Sequence, residues 1–318
     1  MRILHWHVHG SWTTAFVQGS HDYLIPVTPE RDADGLGRAR TWDWPSSAVE
    51  IPAAALRDTD IDVVVLQRPH EVALTAAWTG RVPGRDLPAV YLEHNTPSGD
   101  VPLTRHPMAD RADIPVVHVT HFNRLFWDNG TAPTHVIEHG IIDPGYRYDG
   151  SLPRAAVAVN DPLRRGRTVG TDLLAPLAAS VPVDVFGMRV APLAVSLPVV
   201  PHEDLPQARM HAELARRRVY VHTARWTSLG LSLIEAMQLG MPVVALATTE
   251  ATSAVPPTAG VLTTRVDELC AAARQLVDNP GLAGELGRAG RRHALEHYGL
   301  KRFLSDWDEL LTGLRRPR

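Results

Sequence analysis

The stretch Val219-Tyr-Val-His-Thr-Ala-Arg-Trp-Thr-Ser-Leu-Gly-Leu-Ser-Leu-Ile-Glu-Ala-Met-Gln-Leu-Gly-Met-Pro-Val-Val-Ala-Leu-Ala247 decides how the chain folds. Residues 219–221 are a short β-branched and aromatic run, which predicts a strand. Residues 222–228 are polar and read as a loop. Residues 229–239 have a helix-forming composition, with Ser228 in position to cap them. Gly240 stands where helices close, and Pro242 forbids continuation. Residues 243–247 are a continuous apolar run of the buried-strand kind. The whole is one βαβ unit. Its loop falls at a strand C-terminus and a helix N-terminus, where α/β folds bind anions.

Outward from this unit, the 318 residues allow two domains of roughly 150 residues each. Residues 2–8, 21–27, 61–67, 87–92 and 116–119 read as strands of a first α/β half. A helix is predicted over 125–129, closed by Gly130. Residues 146–154 are rich in Tyr, Asp, Gly and Pro and read as a linker between a first domain, 1–145, and a second, 155–299. The second domain carries strands at 155–159 and 183–186 and helices at 172–179, 205–217, 266–277 and 282–296. In 301–311, Phe303, Leu304, Trp307, Leu310 and Leu311 form a stripe at helical spacing that needs a surface to pack on. Residues 313–318 read as a solvated basic tail.

The balance of 32 basic against 35 acidic residues gives no basic surplus to draw a nucleic acid. No apolar run reaches the length of a membrane span, and the polar start Met-Arg-Ile-Leu-His-Trp-His is not a signal peptide. The single cysteine, Cys270, excludes an internal disulfide and points to a reducing compartment, the cytoplasm. It lies in a helical pattern and reads as a packing residue.

Several polar groups fall where chemistry is expected. His5, His7 and His9 alternate along the first strand and share a face; without a Cys or carboxylate partner they favour strand polarity plus one site histidine, His9, over a metal. Asp60 and Asp62 sit at the wrong end of their strand for a metal and read as structural. Glu93-His94-Asn95 follows a strand, so His94 is a candidate. Arg164, Arg165 and Arg167 follow the first strand of the second half and suit a diphosphate.

The second half resembles the GT-B glycosyltransferases of the retaining family 4 group, bacterial-type enzymes that use nucleotide-sugar donors. Glu235-Ala236-Met237-Gln238-Leu239-Gly240-Met241-Pro242-Val243 is similar to their Glu-Ala-Met-x-x-Gly-x-Pro-Val signature. Ser228-Leu229-Gly230-Leu231 corresponds to Gly-Phe-Gly-Leu, and the first glutamate of the family's Glu-x7-Glu falls on Thr227. The family's basic pair after this domain's first strand is matched by Arg164 or Arg165, with Val169 where its lysine stands and Arg167 as the substitute. His139-Gly140-Ile141-Ile142-Asp143 resembles the family's Asn-Gly-x-Asp. His94 resembles its first-domain histidine beside the donor sugar, and Gly10 the glycine of its first-domain phosphate loop.

The resemblance implies an α/β GT-B fold: two Rossmann-like domains across a cleft, with the C-terminal helix of 300–318 returning to the N-terminal domain. It implies a metal-independent, retaining transferase with no cofactor beyond the donor. Arg164, Arg165 and His94 would be catalytic. Gly10, Arg167, Thr227, Ser228, Leu229, Gly230, Leu231 and Glu235 would bind the donor, Glu235 at the ribose. Its partners would be a nucleotide-sugar donor, a small-molecule, lipid-linked or glycan acceptor and a second copy in a homodimer. The alternatives are a degenerate GT-B protein that binds sugar or a partner without catalysis, or a nucleotide-sugar epimerase or hydrolase.

Overall fold

The computed structural model describes residues 1–314, in two compact units: Met1–Ile141 together with the chain from Leu300 onward, and Ile142–Gly299. In chain order the first segment holds β1 (Arg2–His5), α1 (Gly10–Phe16), β2 (Asp22–Val27), β3 (Ala48–Pro52), β4 (Val63–Leu66), α2 (Glu71–Thr79), β5 (Ala89–Glu93), β6 (Val116–His118), α3 (His121–Phe126) and β7 (Thr134–Val136). The second unit holds β8 (Leu152–Ala158), α4 (Pro162–Arg165), α5 (Leu174–Ser180), β9 (Val183–Gly187), β10 (Val199–Glu203), α6 (Gln207–Leu214), β11 (Arg217–His222), α7 (Leu231–Leu239), β12 (Val243–Leu246), α8 (Ala251–Ala254), β13 (Gly260–Thr263), α9 (Val266–Asp278) and α10 (Pro280–His297). The last helix, α11 (Leu300–Leu314), belongs to the first unit.

Both sheets are parallel throughout. The first runs β3-β2-β1-β4-β5-β6-β7 and the second β10-β9-β8-β11-β12-β13. Each therefore reverses direction of winding once, between β1 and β4 and between β8 and β11. Ligands of open α/β sheets bind at the strand C-termini beside such a reversal. The central strands are apolar on both faces because helices cover both: all four residues of β4 and of β12 are buried. These are the Rossmann-like units expected.

Details differ from the sequence reading. β1 stops at His5, so His7 and His9 are off the strand, and Gly10 opens α1. The helix expected at 125–129 is α3, which starts at His121 because Thr120 caps it, its side chain accepting from the Asn123 N–H, and ends at Phe126. The helix expected to run to Arg217 ends at Leu214, and Arg217 already belongs to β11. α7 begins at Leu231 with Gly230 at its N-cap, so Ser228 does not cap it. Gly240 closes α7 with φ +91°, as its position predicted. Residues 146–151 hydrogen-bond into the second unit: Arg147 and Tyr148 N–H donate to the Leu239 carbonyl. Of the expected basic tail, Gly313 and Leu314 are the last turn of α11; the rest lies outside the described residues.

The apolar stripe of α11 is explained. Phe303, Trp307 and Leu311 are all buried in the first unit with Trp12, Phe16 and Tyr23. Trp12 stacks on Phe16 at 4.6 Å between centroids, and the Trp307 ring meets Phe16 at 5.2 Å and Trp12 at 5.5 Å, both edge to face. Arg302 donates to the carbonyls of Glu138 and His139 at 2.9 and 2.7 Å, pinning the loop after β7. Trp307→Ala is expected to cost about 3–5 kcal/mol, the range for deleting a buried large aromatic; a urea titration following the first unit's tryptophan fluorescence measures it, and a loss under about 1 kcal/mol contradicts this packing.

Candidate functional site

In the second unit the site residues hang from the C-terminal ends of β8 and β11, the two strands at the reversal. The loops that follow are tied to each other. Thr223 Oγ1 donates to the Val169 carbonyl at 2.7 Å, and the Arg225 and Trp226 N–H groups donate to the Thr168 carbonyl at 2.9 and 3.1 Å. Gly170, at φ +75°, lies so close to the Thr223 backbone carbonyl that no Cβ fits there.

The arginines expected to meet a diphosphate are not equivalent. Arg164 lies 3.2 Å from Asp161, and Arg167 2.9 Å from Asp172, both with largely exposed side chains. Arg165 is half-buried and, among the described residues, makes no ion pair; burial and then the Arg164 charge lower its proton affinity. A half-buried guanidinium without an ion pair is prepared to take an anion. Val169 is buried, so no cation stands where the resemblance has a lysine. Instead Arg225 reaches this loop, bidentate to Asp172 at 2.6 and 2.8 Å and 3.0 Å from the Arg167 carbonyl. The sequence reading missed it, although it lies in the opening loop two residues before Thr227.

Thr227 is half-buried, Ser228 and Leu229 are buried, and Gly230 leads into α7. A Cβ on Gly230 would stand 2.6 Å from Cε1 of His222, so the loop needs glycine to pass that ring. Burial holds the His222 imidazole down to about 4, hence neutral. Glu235 follows on the second turn of α7 and is buried. Gln207 Nε2 donates to its Oε1 at 3.2 Å, and His211 Nε2 stands 3.4 Å from Oε2. Both partners come from α6 and were not singled out in the sequence; their signal is the polar pair at i and i+4 on a helix face turned inward. Beside these loops, Asp161, Leu163, Arg164, Arg189, Pro192 and Glu203 line a cavity of about 430 Å³. Its floor is braced by Glu203, which accepts from the N–H groups of Arg189, Val190 and Ala191 at 2.5–2.8 Å.

In the first unit the structure brings His94, His9 and His139 together. The His94 ring lies 3.9 Å from that of His9 and 6.4 Å from that of His139, with the Trp12 edge at 5.5 Å. His9 stands at the N-cap position of the helix that Gly10 opens, without a side-chain capping bond, which puts Gly10 next to this group in the chain. Burial, then the His9 and His139 charges, hold His94 well below the usual histidine range, and burial keeps His139 at about 3. His5 is apart, buried between Phe16 and Tyr23, and His7 Nδ1 donates to the Gly37 carbonyl at 3.1 Å. The loop carrying His94 is clamped: Glu93 accepts from Asn95 N–H at 2.6 Å and stands 3.0 Å from His106 Nε2, while Trp127 Nε1 donates to the Asn95 carbonyl at 2.8 Å. Among the described residues no group of three His, Cys, Asp or Glu side chains has metal-holding geometry. No described helix is long and apolar enough to cross a membrane.

Residues 200–293 match the family described as Glycosyl transferases group 1. Among curated proteins, none matches the sequence. Among solved structures, the chain is similar to a glycosyltransferase of Rickettsia africae, at 12% identity over 100% of this chain and 99% of that one, TM-score 0.72. It is likewise similar to HepE of Anabaena, solved with UDP and glucose, at 13% identity over 98% and 100%, TM-score 0.72. TarM of S. aureus is a third, at 17% identity over 78% of this chain and 54% of TarM, TM-score 0.63; the chain spans about half the length of TarM. The fold is the two-unit GT-B kind, and the segment 200–293 is similar to the glycosyl transferases group 1 family. The matched segment lies wholly in the second unit and contains Thr227, Ser228, Gly230 and Glu235.

Two outcomes are expected. Gly230→Ala forces the loop off the His222 ring, and ligand binding at this loop should fall while the first unit's unfolding is unchanged; calorimetry and denaturation read the two. His5, His118, His139 and His222 are held by burial at about 3 to 4, below the unfolded value of about 6.5. The unfolded chain therefore binds protons that the folded chain does not, so stability is full above about pH 6.5 and falls as the pH drops towards 4. Urea midpoints at pH 7 and pH 5 should differ in that direction; equal midpoints contradict it.

Proposed function

We propose that the chain is a glycosyltransferase that moves a sugar from a nucleotide-diphosphate sugar to an acceptor hydroxyl with retention at the anomeric carbon. The group 1 match supports the transfer chemistry, and the observation that carries the site assignment is Arg165, a half-buried arginine without an ion-pair partner among the described residues, in α4 after the C-terminal end of β8, the strand next to the one leading towards Glu235.

In this reading the diphosphate lies against Arg164, Arg165 and the backbone N–H groups of Ser228, Leu229, Gly230 and Leu231. The nucleobase enters the cavity by Arg189 and Pro192, Glu235 accepts from the two ribose hydroxyls, and Thr227 hydrogen-bonds the sugar. The acceptor oxygen bonds to the anomeric carbon on the face from which the diphosphate departs. The carbon–oxygen bond to phosphate breaks, and the acceptor proton passes to the departing phosphate oxygen. The demand on the protein is to stabilise negative charge growing on the leaving group, which guanidinium forks and backbone N–H groups do. This reading asks for no metal and no cofactor besides the donor. The acceptor is a small-molecule, lipid-linked or glycan hydroxyl.

A second reading is a sugar-binding protein without turnover. The buried Val169 in place of a lysine, and Asp172 neutralising both Arg167 and Arg225, favour it.

Thermal shift against UDP-, GDP- and ADP-sugars identifies the donor, since a ligand of the native state raises its apparent stability. With that donor, Arg165→Ala should lower kcat by about 100-fold or more, the scale of losing one charge-stabilising donor. Glu235→Ala should raise donor KM by about ten-fold or more through loss of hydrogen bonds to a charged group. Unchanged turnover in both removes the site assignment; donor binding without transfer or hydrolysis in the wild type selects the second reading.

A further inference from the structure

The inner face of α10 is built from Ala283, Gly287, Gly290 and Ala294, all buried. His293 and His297 stand beside that face, one turn apart, His293 half-exposed and His297 exposed. Their rings lie side by side, 4.0 Å between centroids and 27° between planes. Nδ1 of His297 donates to the His293 carbonyl at 2.9 Å. A carbonyl only accepts, so this nitrogen carries the ring proton, and Nε2 of the neutral ring keeps its lone pair.

Two histidines at i and i+4 on one helix face have the spacing with which helices chelate zinc. Nitrogens bound to one such ion at about 2.0–2.1 Å stand roughly 3 Å from each other. Rings that already lie side by side reach that separation by turning their accessible side chains, with no movement of the helix. A metal-bound histidine donates its other N–H to a carbonyl or carboxylate, which fixes the tautomer and the ring direction. His297 makes that bond independently of any ion. The pair also occupies the last turn of α10, where unsatisfied carbonyls favour a cation. Glu296, at i+3 from His293, adds a carboxylate on the adjoining surface to balance the charge.

We propose that His293 and His297 form a two-point binding site for a borderline divalent ion of the zinc and copper kind. Each ring gives one nitrogen lone pair, and the ion exchanges two of its waters for them. Its other positions stay with water, since among the described residues no third histidine, cysteine or carboxylate completes a metal-holding group. The site belongs wholly to the second unit and does not depend on the glycosyltransferase reading. Its effect is to staple the closing turn of α10, just ahead of α11. Unfolding destroys the spacing of the two rings, so the ion binds the native state and stabilises it.

Calorimetric titration of the full chain with Zn2+, Cu2+ and Mg2+ tests this, alongside His293→Ala and His297→Ala. The chain has 16 histidines, so the readout is the difference between wild type and variants rather than the total metal bound. Both side chains lie outside the packed inner face, so with a chelator present the variants should keep the wild-type urea midpoint. The wild type should bind one Zn2+ about 100-fold more tightly than either variant, the gain from joining two ligands on one support. The two variants should lose equally. Cu2+ should bind more tightly than Zn2+, and Mg2+, which prefers oxygen ligands, should not bind at this site. In 15N-histidine spectra the first equivalent of Zn2+ should move the His293 and His297 ring signals together, and Zn2+ should raise the thermal midpoint of the wild type more than that of the variants. A wild-type affinity equal to that of the variants, a loss in only one of them, or Mg2+ binding as tight as Zn2+ would overturn the proposal.

Discussion

The close approach of two loops, the one after β8 and the one after β11, is the constraint on which the second unit's site depends. Two adjacent parallel strands whose crossovers leave in opposite directions open a crevice at their ends, and the fold supplies that crevice without any particular side chain. What this chain adds is a seam across its base: Thr223 and the N–H groups of Arg225 and Trp226 bonded to the carbonyls of Val169 and Thr168. The seam fixes how far the arginines of the first loop stand from the glycine-bearing turn of the second. Gly170 is the residue that lets it close.

Carboxylates throughout the molecule act as braces for loops. Glu203 gathers three consecutive N–H groups under the cavity, Glu93 holds Asn95 beside His94, and Glu71 holds Gln67 and Arg68. Asp172 ties Arg225 across the seam, and the guanidinium beside it holds its carboxyl below the usual range. Each brace uses backbone or arginine donors near the end of a strand. The strand ends are thus stiffened by groups that need not touch a substrate, and a site built on them keeps its geometry before ligand arrives.

Much of this was legible in the sequence where one physical signal was strong. Continuous apolar runs gave β4, β5 and β12 because parallel strands are covered on both faces. The stripe of Phe303, Trp307 and Leu311 announced an amphipathic helix needing a partner. The edge strands β3 and β10 were missed because each is half-exposed and contains a proline, which leaves no run to read. Helix starts were misplaced where a cap was chosen by spacing: Ser228 has the right chemistry, but the chain becomes helical only past Gly230. His94 and Glu235 could be singled out because a motif or a strand end marks them. Arg225, Gln207 and His211 could not, because each matters through a partner distant in the chain, and pairing over such distances leaves no local pattern.

The return of α11 to the first unit has a consequence for how the molecule is made. The second unit is continuous in sequence, from Ile142 to Gly299, and can be finished as soon as that span has left the ribosome. The first unit cannot. Its aromatic centre lacks Phe303 and Trp307 until α11 has been synthesised, so the sheet of the first unit waits with an uncovered apolar face while the second unit is made. The order of completion is then the reverse of the order of synthesis, and the half of the protein begun first is the half exposed longest to chaperones and to aggregation.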